Sequence, residues 1–484
     1  MVRCVPRGSR HVPFSEFRQS VRAFAPSHLI PELARRSSLL DGPPWDNRVL
    51  HRTPPWAIAA AARESVLAGT ERRDKSFTDR ALRDMMWKYL QGDPLPHDGS
   101  LARLLTPLLH EQFVWQESPY EEMARSQALL ADTANGGPDL PWADLIGVDI
   151  RSAIRSVMVL HAGVRHNRGQ FAMAWLDARP EVYDAIAPRR EIEATFAYLT
   201  RTIPEHRAVA DRAGVLRLEN ARYAFNPLRT APFVRLDDGT TWAPLHAMIP
   251  ISLSVGNLYY AGRSTWGKSF ADDLGLRMES YVGRQLRSAD NAVVHPEVDY
   301  GSRKKPGKSI DWFFITETAV VLVECKSARL LAGALRGDDS LSTLSDQYLG
   351  KASEQIDATA KRIHEGHEAF RHIPTDRPLI GLTITAEPFY LANSGLPEYG
   401  HRGEVPTMVG SLRDLEELVR LPADEIGKRL HAIATDPNLQ KGRLIAGIGD
   451  VSHRPDNAIL DAAWRTFDLL GEVALQPPIQ NARP

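Results

Sequence analysis

Three side chains close together in the chain have the types needed for hydrolytic chemistry. Asp311 is followed, after twelve residues, by the triplet Glu324-Cys325-Lys326. All lie in SIDWFFITETAVVLVECKS, residues 309–327, where two apolar runs are parted by only a few residues. A gap that short joins antiparallel strands, because parallel neighbours need a crossover of roughly a dozen residues or more. A symmetric turn centred between Glu317 and Thr318 then sets Asp311 opposite Glu324, with Cβ atoms about 4.5–5.5 Å apart. Like charges at that separation repel, and a cation between them would relieve the repulsion. Lys326 shares their face by the two-residue period of a strand, while the Cys325 side chain points the other way. Cys325 still offers its backbone carbonyl oxygen at the same edge. Carboxylate and carbonyl oxygens suit a hard divalent cation, Mg2+ or Mn2+, completed by water and a substrate phosphate. A lysine beside that ion would orient or deprotonate the attacking water and offset charge on the phosphate. The plainer alternative is a salt bridge from Lys326 to Asp311 or Glu324, which leaves one carboxylate uncompensated.

A competing pattern lies upstream. GRSTWGKS, Gly262 to Ser269, spells a phosphate loop, with Lys268 for the outer phosphates and a strand-like NLYYAG before it. That fold needs a parallel sheet, and the hairpin around Asp311 and Glu324 is antiparallel. The pattern therefore reads better as a loop and helix cap with a solvated lysine.

The elements that must position Asp311, Glu324 and Lys326 follow from periodicity. The chain has 484 residues, 43% hydrophobic and 25% charged, enough for several cores. Residues 1–212 read as a helical domain, with stretches such as WAIAAAARESVLAG and SLARLLTPLLHEQF cut by GDPLPHDGS and NGGPDLPW. Residues 213–265 read as a small β-rich connector, with RYAFNPL as a strand and Asp238-Gly239 as a hairpin turn. Residues 266–435 alternate. A helix, FADDLGLRMESYVGRQLRS, is followed by strands AVVHPEVDYG, KSIDWFFI and AVVLVECK. Then come a helix, KASEQIDATAKRI, a strand, PLIGLTITAEPFYLA, and a last strand and helix. Residues 436–484 hold one helix, NAILDAAWRTFDLL, and a tail. The fold class is α/β, with strands of the third unit apolar on both faces and so covered by helices on both sides. Two cysteines, Cys4 and Cys325, build neither a disulfide framework nor a cysteine-rich zinc site. No apolar run approaches the roughly 20 residues of a membrane span, and no apolar signal core follows the N-terminal charges. A cytoplasmic protein without a membrane partner is expected. With 59 basic and 60 acidic residues the net charge of -1 gives no global field for nucleic acid, so a local patch must supply one.

At Asp311, Glu324 and Lys326 the chain resembles the PD-(D/E)XK nuclease superfamily, the restriction-endonuclease-like fold, over roughly residues 265–435. Ile310 stands where the family often has proline. The resemblance implies Asp311, Glu324 and the Cys325 carbonyl as metal ligands, with Lys326 catalytic. It also implies an added glutamate on the preceding helix, which Glu279 supplies on a stripe with Val282 and Leu286. Gln355 resembles the polar residue that some branches aim at the site, and Lys351 lies one turn earlier. The loop YGSRKKPGKSI offers Arg303, Lys304, Lys305 and Lys308 as phosphate contacts, or as an ordinary solvated charge run. Glu297, Asp299 and the HEGHE cluster, His364 to Glu368, read as surface. The expected activity is Mg2+- or Mn2+-dependent endonuclease cleavage, of DNA rather than RNA, compatible with genome defence, repair or recombination. The helical region is the expected surface for target choice, a homo-oligomer or a protein partner. The rivals are a non-cleaving nucleic-acid-binding module of the same fold and, less favoured, a nucleotide hydrolase using the phosphate-loop pattern.

Overall fold

A computed structural model of the chain describes residues 12–40, 52–92, 100–136, 139–212, 218–302, 305–327, 329, 340–399 and 403–469. Up to residue 212 it is mainly helical, as the periodicity requires. The helices are α1 (Phe14–Arg22), α2 (Pro26–Ser37), α3 (Pro55–Ala68), α4 (Asp79–Leu90), α5 (Leu101–Gln112) and α6 (Pro119–Ser126). After them come α7 (Trp142–Ile146), α8 (Ile150–His166), α9 (Pro180–Ile186), α10 (Arg189–Tyr198) and α11 (Ile203–Arg212). Side-chain oxygens set several starts: Thr78, Ser100 and Ser118 accept the N–H groups of Ala81, Arg103 and Glu121. Helix α3 is apolar nearly all round, and accordingly it is buried almost throughout.

The segment read as a β-rich connector has less strand than expected. RYAFNPL is no strand, since Leu218–Tyr223 and Pro227–Arg229 are short 3-10 helices. Asp238-Gly239 does turn a hairpin, with Gly239 at φ 83°, between β3 (Phe233–Arg235) and β4 (Thr241–Trp242). Its flanks come from the helical region: β1 (Gln170–Phe171) and β2 (Thr200–Thr202) complete the order β1-β4-β3-β2. Helix α12 (Met248–Ile251) follows, and then α13 (Val255–Ser288). NLYYAG therefore lies in a helix and not a strand. Ser254 caps α13 by accepting the Asn257 N–H, and Leu258 and Gly262, four apart, are both buried. A Cβ at Gly262 would meet the Phe270 ring, so glycine serves packing there. The helix breaks its geometry once, at Gly267 with φ 71° and ψ -146°.

The main sheet has the order β11-β10-β9-β8-β5. Strands β5 (Val293–Pro296), β8 (Trp312–Ile315) and β9 (Val320–Lys326) run antiparallel in turn, whereas β10 (Leu379–Thr385) and β11 (Thr407–Ser411) continue parallel to β9. AVVHPEVDYG and KSIDWFFI, each expected as one strand, are each two. Their outer halves, β6 (Asp299–Ser302) and β7 (Lys305–Lys308), leave the sheet as a separate two-stranded ribbon. Helices α14 (Ser340–Ser345), α15 (Lys351–His364), α16 (Leu412–Leu418), α17 (Ala423–Thr435), α18 (Leu444–Ile448) and α19 (Ala458–Arg465) are the remaining α-helices among the described residues.

Both faces of the sheet are covered, as the two-sided apolar strands require. Trp312, Phe314, Val321 and Val323 face α13, α16 and α17 in a core that continues into α6, α8, α10 and α19. Phe313, Ile315, Val320 and Leu322 face Ile356, Ala360 and Ile363 of α15. A further core joins α1 to α4 with residues 228–251. Among the described residues no helix is long and apolar enough to cross a membrane.

Candidate active site

The hairpin has the expected register. Trp312 pairs with Val323, Phe313 with Leu322, Phe314 with Val321 and Ile315 with Val320. One more step sets Asp311 beside Glu324, although Asp311 lies just before β8 and not within it. The ladder stops there because its backbone groups go elsewhere. The Ile310 N–H donates to Thr359 Oγ1 of α15 at 3.1 Å, and the Ser309 N–H donates to the Val298 carbonyl. In place of a strand partner, the Cys325 N–H donates to Asp311 Oδ2 at 2.6 Å. The Lys326 carbonyl accepts from Ala386, and the Val320 N–H goes to Pro378, so even-numbered residues of β9 bond toward β10. By alternation the Cys325 carbonyl faces the Asp311 side. The Cys325 thiol itself packs toward the core, and burial raises its pKa well above the usual range.

Glu324 and Lys326 share the α15 face. Lys326 Nζ lies 2.5 Å from Glu324 Oε1 and donates to Gln355 Oε1 at 2.6 Å. Glu324 is 2% exposed, and its other oxygen, Oε2, has no hydrogen-bond partner. Burial first, and then the Asp311 charge, push the Glu324 carboxyl up to about 7, against the pull of Lys326. Asp311 is raised as well, by burial, partly offset by the Cys325 N–H and Lys326. The salt bridge foreseen as the plainer alternative is thus present, and it leaves Glu324 Oε2 unmatched.

Glu279 is half-buried on α13, whose Glu279 carbonyl accepts the Trp312 Nε1–H at 3.0 Å. Its carboxyl pKa is raised by burial and then by Asp311 and Glu297, so it feels the site's charge. Among the described residues, however, no group of three or more His, Cys, Asp or Glu side chains is arranged to hold a metal ion. The expected set of three converging carboxylates is not assembled. Two carboxylates and a carbonyl remain, and the unmatched buried oxygen of Glu324 is what a cation would satisfy.

Lys351 is exposed at the start of α15, one turn before Gln355. Lys308 donates to Glu297 Oε2 at 2.6 Å, which ties up that ammonium. Arg303 and Lys304 lie outside the described residues, and Lys305 is described only as a backbone position of β7. His367 caps a local turn by accepting the Ala369 N–H, in keeping with a surface role. The phosphate-loop pattern forms no cradle. Its residues lie within α13, and Lys268 Nζ is 2.6 Å from Asp272 Oδ2 on the helix surface. Sequence reasoning missed Thr359, which diverts the Ile310 N–H. Its one signal is position, one turn after Gln355 on α15.

No known family model matches the chain, and no curated protein matches it either.

Proposed function

We propose that the chain is a divalent-cation-dependent nuclease of the PD-(D/E)XK kind, acting on DNA. One observation carries this reading: a fully buried glutamate with an unpartnered oxygen, held beside a second carboxylate and a lysine at a strand edge. The order α13, β5, β8, β9, α15, β10, with its mixed sheet, is similar to the core of that superfamily and supports the reading.

Asp311, Glu324 and the Cys325 carbonyl would hold Mg2+ or Mn2+, with Glu279 acting through water. When bound, such an ion polarises the phosphate and lowers the pKa of water. The protein's own groups do the rest. Gln355 fixes the Lys326 ammonium, which then faces the attacking water and the phosphate charge. Glu324, whose carboxyl burial holds up to about 7, would have to be ionised to take part in holding the ion. The helical region would choose the target or meet a partner.

The test is incubation with supercoiled plasmid, linear duplex, single-stranded DNA and RNA, in Mg2+, Mn2+ or chelator. Glu324→Ala and Lys326→Ala should each lose at least ~100-fold in cleavage rate. Absence of cleavage by the wild type on every substrate, or cleavage that survives both substitutions, would overturn the reading. The 2.5 Å Lys326–Glu324 contact favours one rival, a module that binds nucleic acid without cutting it. Metal-independent binding with no cleavage would select that rival.

A further inference from the structure

A cleft of about 340 Å³ opens beyond the carboxyl ends of β10 and β11, between α6 and the N-terminal parts of α16 and α18. It shares no residue with the site around Asp311, Glu324 and Lys326. Carboxylates outnumber cations in its lining: Glu117, Glu121, Glu122, Asp414 and Glu417 against Arg125, Arg413 and Arg443.

The three arginines are already engaged. Arg125 Nε contacts the two Glu416 oxygens at 2.7 and 3.0 Å, and its guanidinium also pairs with Glu122. Arg413 pairs with Glu117 and Glu122. Arg443 lies over the Tyr390 and Phe113 rings, 5.3 and 5.7 Å from their centroids. Glu117 and Glu122 share these arginines and Glu417 pairs with Arg420 at 2.6 Å, so the carboxylates left less fully used are Asp414 and Glu121. Asp414 is 6% exposed, and its Oδ2 accepts from the Ser411 N–H and hydroxyl, closing the cap of α16. Its Oδ1 has no hydrogen-bond partner, and its closest cation, Arg443 Nη2, stands off at 3.9 Å on the same cleft lining. A buried acceptor left open in this way is costly unless something fills it. Glu121 adds an exposed carboxylate at the mouth.

A metal ion fits poorly, because no three such side chains converge among the described residues. A cation that carries several N–H donors fits the spread of oxygens. We propose that this cleft binds an organic cation, an ammonium or guanidinium group, carried by a polyamine or by a basic side chain. The assignment is independent of the nuclease reading.

The experiment is calorimetric titration of the full chain with spermidine and, separately, with N-acetylarginine amide, at matched ionic strength. Saturable one-to-one binding is expected, weakened about tenfold, the loss of one charge-assisted contact, in Glu121→Gln and in Asp414→Asn. Glu121→Gln leaves the Ser411 cap intact, so it remains informative if Asp414→Asn does not fold. The tighter probe identifies the source of the cation. No saturation by either probe up to about 10 mM, or equal affinity in the wild type and every folded variant, overturns the proposal.

Discussion

Glu324 and Glu416 are equally buried, each 2% exposed, yet they are provided for differently. Glu416 accepts from Arg125 Nε at 2.7 and 3.0 Å and from the Tyr281 hydroxyl at 2.8 Å. Around it, Tyr281 accepts from Gln285, and Asn457 exchanges hydrogen bonds with Gln285, so α6, α13, α16 and α19 are tied through one polar hub. Glu324 has one ammonium, one empty oxygen and a carboxylate for a neighbour. Burial of an acid therefore marks nothing by itself, whereas burial without matching partners does. The largest effect that separates the two sites is the loss of Arg125. Arg125→Met strands Glu416 in the interior, while Glu122 keeps Arg413, and should cost about 3–5 kcal/mol in chemical denaturation. Glu324→Gln should cost little or stabilise. Equal losses in the two variants would erase the distinction.

Protonation sharpens the same contrast. Glu324 is moved from 4.5 to about 7, so the folded protein holds that proton over a range in which the unfolded chain has released it. Stability from this group is complete below pH 4.5 and is lost as pH rises through about 7. The loss amounts to about 3 kcal/mol. Asp311, also raised, adds in the same direction. The buried pair His161 and His246, 3.0 Å apart, opposes it below 6.5, because burial holds them down to about 3 and 4. Their contribution is present above 6.5 and is lost on acidification. The difference between wild type and Glu324→Gln isolates the glutamate. From pH 5 to pH 8 the unfolding midpoint of the wild type should fall relative to that of the variant, and parallel curves would refute the raised carboxyl.

Gly283 offers a smaller handle. It lies on α13 against the Trp312 indole, where a Cβ would come within 2.3 Å of the ring atoms. The ring has little room to move, since Trp312 Nε1 donates to the Glu279 carbonyl and the Arg287 guanidinium lies 4.5 Å over it. Gly283→Ala gains roughly 1 kcal/mol of helix propensity but meets that overlap, for a net loss of about 1–2 kcal/mol. The helix that carries Glu279 would also shift away from Asp311. Cleavage should fall less than in Glu324→Ala, and unchanged melting and cleavage would show that the helix yields freely.

The hairpin was legible because a strand has only two faces and a short turn fixes its register. Once Glu317 and Thr318 make the turn, Asp311 can meet only Glu324. The covering of both faces followed from Phe313 and Phe314 being equally apolar. The break at Ser309–Asp311 was not legible, because its cause is Thr359, a partner from a helix far along the chain. Arg125 and Glu416 were hidden for the same reason: nothing local joins residues so distant in sequence. The strand read into NLYYAG failed through a local ambiguity. A short aromatic run before glycine fits a strand until Ser254 is seen to cap a helix that buries Leu258 and Gly262 at helical spacing.

The smallest effect tests the discarded phosphate-loop pattern. Lys268 is 82% exposed and pairs with Asp272 one turn on, a surface contact of the kind that contributes little. A phosphate loop would need that ammonium beside a ring of free backbone amides, but those amides are spent within α13 apart from the kink at Gly267. Lys268→Ala should therefore shift stability by less than about 0.5 kcal/mol and leave cleavage intact. Side by side with Lys326→Ala, it compares two lysines of opposite circumstance: one solvated and satisfied, the other half-buried between a glutamate and a glutamine. Nucleotide hydrolysis abolished by Lys268→Ala would mean that charge imbalance in the interior had pointed to the wrong end of the sheet.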